Sequence, residues 1–194
     1  MFRSLVTLIG LSVLAAGAPS TAIGQGRLDP AELVRAQREA MNRLDFMDGV
    51  WRGTAWHILP SGERHTITQT ERVGPFLGGS IKVIEGRGYE GDGSVGFNAL
   101  GIISYDPGTG AFTMRSYAQG HTGDFPLTLA ADGFEYKIPV GPRIMRYRAV
   151  ITDGTWREVG DRVLPGTEPI RFFEMTLTRM GNTNWPSEGA VAPE

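Results

Sequence analysis

The chain has 194 residues, a formal net charge of −2 at pH 7 and no cysteine. Without thiols there are no disulfides, no cysteine nucleophile, no Cys-ligated zinc or iron–sulfur cluster, and no lipid-anchoring cysteine. The near-neutral balance offers no general basic surface to nucleic acid, and 41% hydrophobic with 21% charged residues is ordinary for a soluble globular protein.

Arg3 is the only charge before an apolar run from Leu5 to Ala16, and small and polar residues follow from Gly17 to Gly26. The run is shorter than the ~20 apolar residues that cross a bilayer. A basic start, a short apolar middle and a small-residue exit predict a signal peptide over 1–24, cleaved after Ala22 or Gly24. A retained N-terminal anchor is the alternative. The expected protein is exported, periplasmic or secreted, with no membrane span once the signal is removed.

Asp29-Pro30-Ala31-Glu32 then supplies an N-cap residue, a proline at the first helical position and an early acid. Leu33, Ala36, Ala40, Met41, Leu44 and Met47 recur near helical spacing, which predicts a helix from about Pro30 to Arg43, extendable to Met47, packed on the main domain as a lid or plug. From Val50 the period changes to two. Strand-like runs fall near residues 50–59, 64–73, 80–89, 96–105, 111–119, 125–130, 134–139, 144–152, 155–163 and 170–179. Between them lie turn sequences such as Pro60-Ser61-Gly62, Gly91-Asp92-Gly93, Asp106-Pro107-Gly108, Asp132-Gly133 and Asp153-Gly154.

A meander of about ten short antiparallel strands leaves two long edges unless it closes, so the predicted fold is an all-β, up-and-down antiparallel barrel behind one N-terminal helix. A two-sheet sandwich is the competing architecture. The division implied is a linker and helix over 25–47, a barrel over 48–180 and a flexible tail over 181–194, with Trp185 able to fold back on the surface.

Gly49-Val50-Trp51-Arg52-Gly53 opens the first strand after the short helix, and Arg171-Phe172-Phe173-Glu174-Met175-Thr176-Leu177-Thr178-Arg179 is the last strand. This pattern resembles the lipocalin and calycin barrels. The resemblance implies that Trp51 closes the barrel floor and that Arg179 packs across it. Leu44 to Gly53, Ile103-Ser104-Tyr105-Asp106-Pro107, Trp156-Arg157-Glu158-Val159-Gly160 and Phe172 to Met175 also resemble a bacterial family of uncharacterised exported and cytoplasmic lipocalin-like barrels. More distantly the chain resembles the nitrobindin-type haem barrels, which ligate iron with a late histidine. No histidine follows His121 here, so no cofactor is expected.

Several residues could carry chemistry. Arg115 and Tyr117 share one face of a strand and, facing inward, would hold a carboxylate or phosphate. Phe112, Met114, Ser116 and Ala118 form the competing inward face. Arg146 and Arg148 alternate with Met145, Tyr147 and Ala149, and Glu158 and Glu174 on the following strands would complete a buried Arg–Glu network. The ligand-binding candidates are therefore Arg115, Tyr117, Arg146 and Glu158. His57, His65 and His121 with Asp124 lack a fixed metal spacing and read as solvated side chains, so no metal site is assigned. Gly93-Ser94-Val95-Gly96 lacks the strand–turn–helix setting of a nucleophile elbow, and no catalytic residue is assigned.

Three functions follow in order. The first is a module binding a small amphipathic or lipid-like ligand, an acid-headed one if the arginines face inward. The second is a filled barrel that makes contacts through Trp56 or Trp185. The third is an enzyme at the barrel mouth using His57, His121, Asp124 or Glu158.

Overall fold

The two-residue period that begins at Val50 carries on, strand after strand, until the sheet meets its own first strand. The computed structural model describes residues 29–186; the predicted signal segment and residues 187–194 of the tail lie outside them. Ten strands follow one another: β1 (Gly49–Ile58), β2 (Arg64–Phe76), β3 (Ile81–Tyr89), β4 (Val95–Asp106), β5 (Ala111–Ala118), β6 (His121–Leu129), β7 (Gly133–Val140), β8 (Arg143–Thr152), β9 (Thr155–Val163) and β10 (Ile170–Gly181). Each pairs antiparallel with its sequence neighbours and β10 pairs with β1, giving a closed up-and-down barrel. The expected all-β fold class holds, and the sandwich does not form.

β2 runs on to Phe76, three residues past its predicted end. β6 starts at His121, four residues before the predicted start, because Gln119 and Gly120 make a tight turn with φ of 49° and 80° and place His121 opposite Ala118. Gln119 itself takes a positive φ, and glutamine carries no turn signal that would announce it.

Two glycines of the first strand explain its motif. Gly49 sits at φ +147°, and a Cβ there would lie 2.8 Å from the Gly181 carbonyl oxygen and 3.0 Å from Arg179 Nε. A Cβ on Gly53 would collide with the Thr176 carbonyl oxygen and lie 2.9 Å from Leu177 Cα. Both face the seam where Trp51 meets Arg179 and Ala55 meets Met175. Gly53→Ala should therefore push β1 off β10 and cost about 1–3 kcal/mol, read as a lower urea midpoint. An unchanged midpoint would mean that the seam tolerates a side chain.

α1 (Pro30–Asn42) is capped by Asp29, whose side chain accepts the Ala31 N–H at 3.1 Å. Its buried Ala40 and Met41, with Leu44 and Met47 beyond it, close one end of the barrel. The Gln37 amide donates to the Tyr105 carbonyl at 3.4 Å and the Arg43 guanidinium lies 5.4 Å from the Phe112 ring centre, which pins the helix to the β4–β5 end. A 3-10 turn over Asp45–Met47 leads into β1. There Trp51, 1% exposed, donates its indole N–H to the Met47 carbonyl at 2.9 Å and meets the Trp156 ring edge-on at 5.8 Å. Arg179 is exposed beside this floor, and its Nη2 donates to the Asp48 carbonyl at 3.0 Å and to Asn182 Oδ1 at 2.8 Å. Trp185 folds back against Phe76, 5.6 Å between ring centres, under the Arg72 guanidinium.

Candidate functional site

Side chains alternate in and out along each strand, and the inward ones change from part-exposed to buried along the barrel. On β8, Met145 and Tyr147 are part-exposed, whereas Ala149 and Ile151 are buried. β4 runs from Phe97 and Ala99 to buried Ile103, β5 from Ser116 to Met114, β7 from Tyr136 to Phe134, and β10 from Phe173 to Met175 and Leu177. Solvent therefore enters from the end that carries the β1–β2 and β7–β8 turns and stops above the Trp51 floor. On the β4–β8 and β10 walls the part-exposed inward side chains outline a shallow cup above that floor.

Polar groups gather at the foot of this cup. Glu158 on β9 is paired in register with Met175 and Ala149, the level at which exposure ends. Its Oε1 accepts the Tyr136 hydroxyl at 3.2 Å. Tyr136 in turn stacks on Tyr147 at 4.8 Å with the rings only 5° apart. Glu71, inward on β2 opposite Trp51, accepts the Gln69 amide at 2.8 Å. Its carboxylate fills the space that a Cβ on Gly86 would occupy, with both oxygens 2.8 Å from that point. Here a glycine in β3 makes room for a buried acid.

Burial dominates the electrostatics. It pushes the Glu71 carboxyl up to about 8 and the Glu158 carboxyl up to about 7, and the negative charge of Glu158 adds to the rise at Glu71. Burial and the Glu158 charge likewise raise both tyrosine phenols. The donors that favour the charged acids are Gln69 for Glu71, and Tyr136 and Trp156 for Glu158; no arginine or lysine acts on either. The Trp156 indole N–H comes near enough to Glu158 to favour its charged form, yet it is buried without an acceptor in hydrogen-bonding geometry. Sequence patterning had singled out Glu158 alone. Glu71 and Gln69 escaped notice because polar residues inside a strand pattern normally mark its solvent face; the signal available was the run Ile67, Gln69, Glu71, Val73, two polar residues sharing a face with two apolar ones.

The other sequence candidates lie elsewhere. Phe112 and Met114 are buried in the core, so Arg115 and Tyr117 stand on the outer wall, both exposed, with Arg115 Nε donating to Asp124 Oδ1 at 2.7 Å. Arg146 and Arg148 also face outward, and with Arg171 they surround Asp161, at 3.4, 2.9 and 2.6 Å. Glu174 pairs with Arg157 at 2.6 Å on the same outer wall. The arginine network thus exists outside the barrel, built on Asp161 instead of Glu158. Arg115→Ala should leave the thermal midpoint nearly unchanged, as for other exposed ion pairs, and leave binding in the cup untouched; a clear drop in the melt would give that pair a role the geometry does not.

At the mouth, His57 and His65 meet edge-on at 5.4 Å, and His65 Nε2 is 2.9 Å from Glu90 Oε2. Burial and the neighbouring His65 lower the His57 pKa. His121 begins β6 and is exposed, beside neither of them. Among the described residues, no group of three or more His, Asp or Glu side chains is placed to hold a metal ion.

No protein-family model matches this chain, and no curated protein matches it. Among solved structures it is similar to Rv2717c from M. tuberculosis, with a TM-score of 0.56 at 12% sequence identity, over 73% of this chain and 97% of that one. The chain is a closed ten-strand antiparallel β-barrel similar in fold to Rv2717c, and at this identity the likeness concerns the fold.

Proposed function

We propose that the barrel is a binding module that takes one small amphipathic molecule into the cup, apolar part against Phe173, Met145 and Phe97, polar part at Glu158. The observation that carries this reading is the gradient of burial down the inward faces, with Glu158 and Tyr136 set at the level where exposure gives way to the buried apolar floor. Pockets of this make-up, mostly apolar with a few convergent polar groups, are the usual form of small-molecule sites. The interior supplies carboxyls, phenols and an amide. The guanidinium groups that would suit an acid-headed lipid lie on the outer wall. With export as expected from the N-terminal segment, the molecule would be met outside the cytoplasm.

The test uses N-phenyl-1-naphthylamine, a neutral apolar probe whose emission rises on leaving water. Saturable enhancement is expected at about one probe per chain, abolished by Ser116→Trp, which fills the cup from β5 without touching the floor. If the probe gains no emission, or Ser116→Trp leaves its binding unchanged, the core is solid and the protein works by its surface.

A further inference from the structure

Two acids at the foot of the cup have no base. Glu71 and Glu158 are 8% and 7% exposed, and neither hydrogen-bonds to a lysine or arginine; their partners are Gln69 and Tyr136. The one fully buried lysine, Lys82, is held at the floor by Asp45 at 2.9 Å and Asp48 at 2.7 Å. Arg146 and Arg148 of β8 and Arg171 of β10 are bound to Asp161 outside. Buried acids in folded proteins are ordinarily paired, whereas here each accepts one side-chain hydrogen bond, at Oε1, and no cation meets either carboxylate. Beside them, Trp156, 2% exposed, holds an indole N–H with no acceptor. What is missing from the cluster is therefore a cation and, next to it, an oxygen that can accept one hydrogen bond.

We infer that the ligand of this cup is an amphipathic amine, with an ammonium group between Glu158 and Glu71, a neighbouring hydroxyl or carbonyl oxygen facing the Trp156 N–H, and an apolar remainder rising toward Tyr147 and Phe173. The inference rests on the binding reading above and adds the charge of the occupant. An ammonium supplies three donors, enough for both carboxylates, and its hydrogen bonds to them are charge-assisted. A carboxylate-headed ligand meets the opposite situation, since it would add a third acid where none is neutralised. A neutral alcohol satisfies the hydrogen bonds and leaves the charge uncompensated. Tyr136 and Tyr147, stacked face to face beside Glu158, add aromatic surface of the kind that attracts cations.

The experiment is calorimetric titration at pH 8 of the whole protein with decylamine, 2-amino-1-decanol, decanol and decanoate, each below its aggregation concentration. Decylamine is expected to bind about tenfold or more tighter than decanol, the amino alcohol at least as tightly as decylamine, and decanoate weakest. Glu158→Gln, checked for folding by circular dichroism, should reduce decylamine affinity about tenfold and decanol affinity by much less, because the amide keeps a hydrogen-bonding group and loses only the charge; equal losses for the two would overturn the inference. Decanol or decanoate binding as tightly as the amine would overturn the inference while the binding reading stands, and so would entry of the naphthylamine probe without any decyl compound. If neither the probe nor any decyl compound binds, both readings fall together.

Discussion

Raising the pH from 5 to 9 should cost the unliganded protein several kcal/mol of stability, and Glu71→Gln with Glu158→Gln should remove most of that loss. The sign follows from the two carboxyls. Burial raises their pKa values from 4.5 to about 8 and about 7, so between 4.5 and these values the folded chain holds protons that the unfolded chain has released. Stability must then fall as pH rises through this window and level off above it. Each tenfold change in proton affinity is worth about 1.4 kcal/mol, so shifts of this size for two groups make a large fraction of the roughly 5–15 kcal/mol that holds a domain together.

The groups that face the pair are Gln69, Glu85, Tyr136, Tyr147 and Trp156, and none of them brings a positive charge. His57 acts in the opposite direction, because its lowered pKa makes stability rise with pH below about 6.5. It is one part-buried group against two buried ones, so its contribution is the smaller. Comparing urea midpoints of wild type and the Gln double variant at each pH isolates the acids. Equal pH slopes for the two proteins would mean that the carboxyls are hydrated and ionised in the folded state.

The second large effect concerns the floor. Lys82 on β3 is 1% exposed and bonded to Asp45 and Asp48, which sit 37 and 34 residues earlier in the chain. It ties the junction between α1 and the barrel to β3, two strands along the wall from β1. The carbonyl of Asp48 is in turn held by Arg179, and the adjacent Met47 carbonyl receives the Trp51 indole. Lys82→Met keeps the aliphatic length and strips the charge, leaving Asp48 half-buried with Asp45 as its like-charged neighbour. Breaking a buried pair in this way costs about 3–5 kcal/mol. The expected result is a much lower urea midpoint with an unchanged slope, partly restored by adding Asp48→Asn. A midpoint within error of wild type would show the floor to be held by apolar packing alone.

Much of this architecture was legible beforehand because it is written locally. Strand periodicity, glycine- and aspartate-rich turns and the proline-led helix start all depend on a few neighbouring residues, and they placed α1 and the ten strands nearly where they lie. Closure followed from a physical constraint on edges, and the glycines at 49 and 53 marked the seam at which it occurs. Alternation could not say which of two sets faces inward. On β5 it left Arg115 and Tyr117 against Phe112 and Met114, and on β8 Arg146 and Arg148 against Tyr147 and Ala149. A shift of one residue in register exchanges the sets, so only the closed barrel, with its bulges at Val50/Trp51 and Arg171/Phe173, decided that the arginines stay outside. The same closure turned Gln69 and Glu71 inward beside Glu158, although β2 and β9 are far apart in sequence and on opposite sides of the seam. The chain alone therefore determined the strands and their order around the barrel. Tertiary structure determined the charge of the interior, because burial and cross-barrel proximity are properties that no local stretch of residues possesses.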